Sequence, residues 1–216
     1  MPDPFVVAFV VGVTPGKWAR AWGERRPWHP LELKQLSPAE ALAALDSGAA
    51  DVALLRLPVP GDHLSSIPLY SELPVAVAPK DHPIEAMDAL TLADLAGESI
   101  VTAVGAAAEP LDGDWTPAVE LVAANVGVAL MPQSVARALS RRDVIARPVA
   151  DGEETRIALV WVTESTTSPI DEFIGIVRGR TANSSRGEPT PPKAVAPRKA
   201  KPDRRPQRKP GSGRGR

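Results

Sequence analysis

The stretch AADVALLRLPVPGDHLSSIPLYSELPVAVAPKDHP, residues 49–83, contains the clearest secondary-structure signals of the chain. It contains two short runs of mainly Val, Ala and Leu, at residues 51–55 and 73–78, separated by a segment rich in Pro, Ser, Gly and Asp. Apolar runs of this length, bounded by turn-forming residues, are typical of strands that are buried on both faces. The stretch therefore predicts two strands of an α/β protein whose sheets are covered by other elements.

The chain before this stretch alternates in the same way. Thr14 and Pro15 follow an apolar run and predict the start of a helix, because Thr can cap a helix and Pro fits its first turn. Ser37 and Glu40 have the spacing of a capping box, which predicts the start of a second helix. The predicted elements are strands at residues 5–13 and 31–36, a helix that contains Trp18 and Trp22, and a helix that Gly48 ends.

The chain after this stretch continues with helices and strands in turn. The predicted helices lie at residues 91–95, 117–124, 133–139 and 169–178, and the predicted strands at 99–104, 126–131, 144–149 and 156–162. This rhythm predicts mainly parallel sheets with helices on their faces.

The net charge of −1 conceals an acidic body and a basic end. Residues 178–216 contain 13 Lys and Arg and two acidic residues, so the other residues hold 12 basic and 24 acidic ones. Seven prolines and few apolar residues at 181–216 predict a disordered tail, because little burial is available to offset the entropy of ordering. We expect this tail either to contact the phosphates of DNA or RNA, or only to increase solubility and associate with the acidic body. The candidate nucleic-acid contacts are Arg198, Lys199, Lys201, Arg204, Arg205, Arg208 and Lys209.

Several classes of chemistry find no support in the sequence. It has no cysteine, which excludes disulfides, thiolate zinc sites and thiol nucleophiles. Its histidines, His29, His63 and His82, lie beside Pro or in turns, without a ligand partner at the spacing of a metal site. No glycine-rich phosphate loop, dinucleotide-binding motif or nucleophile elbow is present. We therefore expect no catalysis, metal or cofactor, and, since the N-terminal apolar run is too short for a membrane span, a cytoplasmic protein.

Five segments, in this order along the chain, carry a resemblance to a known family. They are Gly48 with residues 51–54 (DVAL); Pro68-Leu69, residues 75–78 and His82-Pro83; residues 92–96 (LADLA); residues 121–132 (LVAANVGVALMP); and Arg147-Pro148, Asp151 and the runs at 156–161 and 169–178. Over about residues 5–180 the chain resembles the substrate-binding, or effector-binding, domain of LysR-type transcriptional regulators. It looks like a stand-alone, actinobacterial-style form without the family's winged helix-turn-helix.

The resemblance implies a fold of two α/β lobes, like that of periplasmic solute-binding proteins of type 2, in a domain at residues 1–180. Lobe I would hold about residues 5–77 and 155–180, and lobe II about residues 78–154, with two crossover strands between them. Lobe II would be shortened, because a segment rich in Gly, Ala, Asp and Pro replaces a strand and a helix before Leu121. Asn125 replaces the family's usual Gly, and Asn tolerates a left-handed backbone well.

The resemblance also implies a ligand between the lobes, of the class of small carboxylates or aromatic acids. Thr14 would donate to the anion at the start of the first helix, beyond the end of a strand. Leu57 and Pro58 would line lobe I, and Thr102 would face the cleft from lobe II. The far side would be closed by Val126, Gly127 and Val128.

The implied function is a non-catalytic small-molecule sensor with a role in transcriptional regulation, and a homodimer is the form that the resemblance suggests. The alternative is a degenerate binding domain that acts as a protein-interaction module without a small ligand.

Overall fold

A computed structural model of the chain describes residues 3–102 and 114–179. The predicted tail at 181–216, with all the candidate nucleic-acid contacts, lies outside the described residues. Residue 180, the last residue of the predicted domain, also lies outside the described residues. Residues 103–113, which hold much of the predicted shortening of the second lobe, lie outside them as well.

The described chain folds into strands and helices in the following order. The strands are β1 (Phe5–Phe9), β2 (Leu31–Gln35), β3 (Val52–Leu57), β4 (Leu64–Glu72), β5 (Pro74–Pro79), β6 (Ile100–Val101), β7 (Val128–Pro132), β8 (Val144–Pro148) and β9 (Thr155–Val162). The helices are α1 (Gly16–Arg25), α2 (Pro38–Asp46), α3 (Thr116–Ala123), α4 (Gln133–Ala138) and α5 (Ser168–Val177), with short 3-10 turns at Pro83–Ala86, Leu92–Leu95 and Thr163–Ser165.

The first lobe is built on a five-stranded sheet with the strand order β2-β1-β3-β9-β4. Its core joins this sheet to α1 and α5 through three aromatic rings. The Phe5 ring stacks on Trp22 with centroids 4.4 Å apart, and it lies 5.4 Å from the ring of Phe173. All three side chains are buried, so three of the nine aromatic residues of the chain pack together where two helices meet the sheet.

The second lobe is built on a four-stranded sheet with the order β6-β7-β5-β8. Its core holds Trp115 and Met131 together with Val119 and Val122 of α3 and Val135 of α4. The lobes therefore have separate hydrophobic cores, as the two-lobed fold requires.

The expectation of mainly parallel sheets is wrong. Among the seven strand pairings of the described residues, only β1–β2, β1–β3 and β6–β7 are parallel. Every antiparallel pairing involves β5 or β9, the strands by which the chain enters one lobe from the other. Where the chain passes from one lobe into the other it contains no crossover helix, because such a connection is needed only between parallel neighbouring strands.

The chain crosses between the lobes twice. It leaves the first sheet at Glu72 and begins the second at Pro74, earlier than the expected boundary near residue 77, and it returns between Pro148 and Thr155. The sequence does not predict strand β4, because Ser65, Ser66 and Pro68 interrupt its apolar pattern. Pro68 is tolerated because β4 is an edge strand, and the register shifts there.

The end of β1 also differs from the prediction. The strand stops at Phe9 rather than near Val13, and the chain turns at Val11 and Gly12, whose φ is +89°. Helix α1 begins after Pro15 with no side-chain cap, so Thr14 does not cap it. The capping box of Ser37 and Glu40 is present as predicted.

Candidate functional site

Both lobes contribute to a large cavity at the carboxyl end of β1. Its volume is about 1040 Å³. The first lobe provides Val11, Gly12, Val13, Thr14, Gly16, Lys17, Trp18, Arg20, Gln35 and Tyr70, and the second provides Ser134, Arg137, Ala138 and Leu139. We call it the cationic cavity.

The charge of the cationic cavity comes from Lys17, Arg20 and Arg137. No Asp or Glu lines it, and none of the three cations forms an ion pair with a carboxylate among residues 3–102 and 114–179. The Nζ atom of Lys17 lies 4.6 Å from the ring centroid of Trp18. Helix α1 has no acidic residue in its first turn, so the positive end of its dipole adds to the potential at this cavity.

A second cavity between the lobes, which we call the apolar cavity, has a volume of about 370 Å³. Leu57 and Pro58 form part of its wall where β3 ends, and Thr102 and Trp115 belong to the second lobe. Its other lining residues are Pro74, Leu92, Ile100, Val101, Leu130, Met131, Pro132, Gly152, Glu153, Glu154 and Thr155. A small, mainly apolar space with few polar groups is typical of small-molecule sites.

The indole of Trp115 is unusual within the apolar cavity. Its side chain is 2 % exposed, yet its N–H group has no hydrogen-bond partner in the part of the chain that the structure describes. A buried donor without an acceptor is costly. Trp115 thus lines the apolar cavity and holds a buried N–H donor that no described acceptor satisfies.

A buried polar cluster holds the crossing between the lobes. The Arg56 Nε atom donates to Glu72 Oε2 at 2.8 Å, and Arg56 also donates to the Val11 carbonyl at 3.0 Å. Arg56 further donates to the Ser134 hydroxyl at 3.1 Å, and the Thr155 hydroxyl donates to Glu72 at 3.3 Å. Ser134 also donates to Glu72, so the second lobe is tied to both members of the ion pair.

Residues of this cluster belong to both cavities. Val11 and Ser134 line the cationic cavity, whereas Thr155 lines the apolar cavity. Burial, reinforced by the charge of Glu72 and opposed by that of Arg56, raises the pKa of Tyr70, which also lines the cationic cavity. Tyr70 is therefore a neutral hydroxyl at physiological pH.

The site residues that we predict from the sequence fall in three places. Thr14 lines the cationic cavity, whereas Leu57, Pro58 and Thr102 line the apolar one. The third group lines neither cavity. In it, Val126 is 52 % exposed, Val128 is buried in β7, and Gly127 packs against the backbone of Ser99, where a side chain would overlap it.

Sequence reasoning missed Lys17, Arg20, Arg137 and Trp115. Lys17 and Arg20 are one helical turn apart just after Thr14, a signal that could have been found. Trp115 is the lone aromatic residue of its Gly-, Ala- and Pro-rich segment, which was a weaker signal.

Metal and membrane sites find no support in the described residues. His63 lies 2.9 Å from Asp46 and the part-buried His82 lies 3.4 Å from Glu98, so these two contact carboxylates that are distant in sequence. No described group of three or more His, Asp or Glu side chains could hold a metal ion. None of the described helices combines the length and apolarity that crossing a bilayer requires.

The described architecture is that of a two-lobed α/β domain. The model of the LysR substrate binding domain matches residues 14–108. The effector-binding domain of a BenM variant superposes with a TM-score of 0.69 at 19 % identity, covering 82 % of this chain and 94 % of that one. The BenM effector-binding domain with its effector benzoate gives 0.67 at 19 % identity, covering 81 % and 90 %. The chain is thus similar to the LysR substrate binding domain over residues 14–108, and it shares its fold with these solved domains.

Curated relatives are named as regulators of transcription. The Hca operon transcriptional activator HcaR of Escherichia coli (strain K12) is 28 % identical over 181 residues, which are 74 % of this chain and 60 % of that protein. The HTH-type transcriptional regulator CatR of Pseudomonas putida is 33 % identical over 126 residues, or 49 % and 43 %. The chain thus spans about half of the length of the relatives that it matches.

Proposed function

We propose that this chain is the non-catalytic, small-molecule-sensing part of a transcriptional regulator. The observation that carries the proposal is the cationic cavity, because both lobes build it and its three cations lack carboxylate partners among the described residues. A ligand that contacts both lobes binds some lobe orientations better than others, and so shifts their populations. The names of the curated relatives support a role in transcription.

The ligand of the cationic cavity is a small carboxylate. Arg137 from the second lobe and Lys17 and Arg20 from the first supply the charge, and Thr14 supplies a hydroxyl donor. Charge-assisted hydrogen bonds of this kind are the strong ones. Benzoate, the effector of the BenM domain, is a suitable probe of this class.

Calorimetric titration with benzoate tests this proposal. Thr14→Val, which keeps the shape but removes the hydroxyl, should weaken binding about fivefold, and Arg137→Ala should weaken it about tenfold or more. Arg142→Ala is the matched control, because this exposed arginine does not line the cavity. Unchanged binding in both cavity variants would refute the proposed site.

The alternative function is a protein-interaction module. Leu121, Val126 and Ile100 of the second lobe are 43 %, 52 % and 44 % exposed, which favours a protein contact there. Polar substitutions of these residues that abolish capture of a partner regulator, in a chain that binds no benzoate, would support this alternative.

Further parts of the proposal concern partners and location. We propose that the basic tail contacts DNA or RNA, that the domain pairs as a homodimer, and that the protein acts in the cytoplasm. Relatives that regulate transcription, and the charge of the tail, support these assignments.

A further inference from the structure

The walls of the apolar cavity have the opposite charge to those of the cationic cavity. Glu153 and Glu154 are its only charged lining residues among those described, and no Lys, Arg or His lines it there. A carboxylate that entered this cavity would lose water and meet two like charges without a counter-ion.

Glu153 and Glu154 are free to act on a ligand. Both side chains are exposed, and neither forms an ion pair with another described residue. They follow Gly152 on the segment by which the chain returns to the first lobe. A cation at the mouth of the cavity would therefore be attracted there without first breaking an ion pair.

The second selective feature is the Trp115 donor. The indole N–H is buried and lacks an acceptor in the described part of the chain, and the Thr102 hydroxyl lines the same cavity. A ligand with a neutral acceptor, such as an amide carbonyl, can satisfy this donor. The remaining walls, including Leu57, Ile100 and Leu130, suit an apolar body.

We propose that the apolar cavity is a second ligand site, which takes an apolar, uncharged or cationic molecule with a neutral hydrogen-bond acceptor and rejects carboxylates. The inference rests on the proposed function only in treating the domain as a ligand sensor, since it assigns a different ligand class to a different cavity. Trp115 supplies the donor, and Glu153 and Glu154 select the charge.

Three probes with the same benzamide core test the charge selection. They are 4-(aminomethyl)benzamide, which is cationic, 4-methylbenzamide, which is neutral, and 4-carbamoylbenzoate, which is anionic. Titrated into the full chain, the cation should bind about fivefold more tightly than the neutral probe, and the anion about fivefold more weakly. Because the anion also suits the cationic cavity, its titration is repeated with Arg137→Ala.

Substitutions then test whether Glu153, Glu154 and Trp115 cause the difference in affinity among the three probes. With Glu153→Gln and Glu154→Gln together, the affinities of the three probes should converge to within about twofold. Both positions are exposed, so the substitutions leave the core intact. Glu164→Gln, an exposed glutamate outside the cavity, is the control and should leave the order unchanged. Trp115→Phe should weaken all three probes about tenfold without altering their order.

Several outcomes would overturn the inference. They are tightest binding of the anion with Arg137→Ala in place, an order that survives the double glutamine substitution, or no binding of any probe. Benzoate binding that still depends on Thr14 and Arg137 would leave the proposed function standing in each of these cases. Loss of that dependence, with the probe order as expected, would refute the proposed carboxylate site alone.

Discussion

Arg56 joins parts of the chain that are distant in sequence and belong to different lobes. Its guanidinium contacts Val11, Glu72 and Ser134, and both Arg56 and Glu72 are 6 % exposed. We predict that Arg56→Ala lowers the free energy of unfolding by about 3–5 kcal/mol, because it leaves the Glu72 carboxylate buried without a partner. Urea denaturation measures this change.

The control for this prediction is an exposed ion pair. Lys34 lies 3.7 Å from Glu32 on the surface of β2. Lys34→Ala should cost less than about 1 kcal/mol. Equal effects of the two substitutions would show that the Arg56 cluster does not hold the crossing.

Gly12 shapes the mouth of the cationic cavity. Its φ is +89°, and a Cβ atom there would overlap Ser134 and lie 2.9 Å from the Val135 nitrogen. Gly12→Ala should therefore destabilise the protein by about 1–3 kcal/mol. Gly23→Ala, within α1 and with no atom near the added Cβ, should instead stabilise it by about 0.5–1 kcal/mol. Thermal unfolding measures the stability of both variants. A Gly12→Ala protein that is as stable as the unsubstituted protein would show that the turn does not require glycine at this position.

Among the elements, α2 has a starting signal that is complete in the sequence. The Ser37 hydroxyl accepts from the Glu40 N–H, and the Glu40 carboxylate accepts from the Ser37 N–H at 2.9 Å. We predict that Ser37→Ala costs about 1 kcal/mol. The matched control is Thr167→Ala at the start of α5, where the cap makes no side-chain hydrogen bond, and a loss of similar size there would contradict the prediction.

The same capping box predicts a dependence on pH. Hydrogen bonds from the backbone and hydroxyl of Ser37 lower the pKa of Glu40 in the folded state. A carboxyl whose pKa is lowered by folding contributes stability above its unfolded pKa and loses it as the pH falls. The cost of Glu40→Gln should thus be present at pH 7, begin to fall near about pH 4.3, the ordinary pKa of Glu, and be lost as the pH drops through the lowered pKa of the folded state, as urea titrations would show. A cost independent of pH would exclude an ionised cap.

A helix or strand can be predicted from the sequence when the residues that determine it are neighbours in the chain. The capping box at Ser37 and the left-handed Asn125 rest on neighbouring residues, and both are confirmed. Strand β4 is missed because its pairing with the distant β9, not its own pattern, makes it a strand. The direction of β9 likewise depends on where the chain re-enters the first lobe, which no local pattern records.

For the whole molecule, the predicted two-lobed α/β fold is confirmed by the superposition on the effector-binding domain of a BenM variant. Which of the predicted site residues line the same cavity is harder to predict. Thr14 and Thr102 were expected around one ligand, yet they line different cavities. Which strand-end loops share a cavity depends on how the two lobes pack, and the sequence does not encode that in any single segment.

The separation between an acidic body and a basic C-terminal segment is a property of the whole chain. We predict that the intact protein binds duplex DNA, and that a chain truncated after Gly179 does not, because 12 of the cations follow that residue. Binding should weaken steeply as salt rises from 50 to 200 mM, since phosphate contacts release counterions. Filter binding across this series measures it, and equal affinity of the two chains would refute the role of the tail.

We expect a ligand between the lobes to change their orientation. Because the chain has no cysteine, Glu24→Cys in the first lobe and Ala96→Cys in the second can carry two spin labels without interference. We predict that saturating benzoate narrows the distance distribution between the labels, as measured by double electron–electron resonance, and shifts it by roughly 2–5 Å. Thr14→Val with Arg137→Ala should abolish the shift. A distribution that is the same with and without bound benzoate would contradict the account.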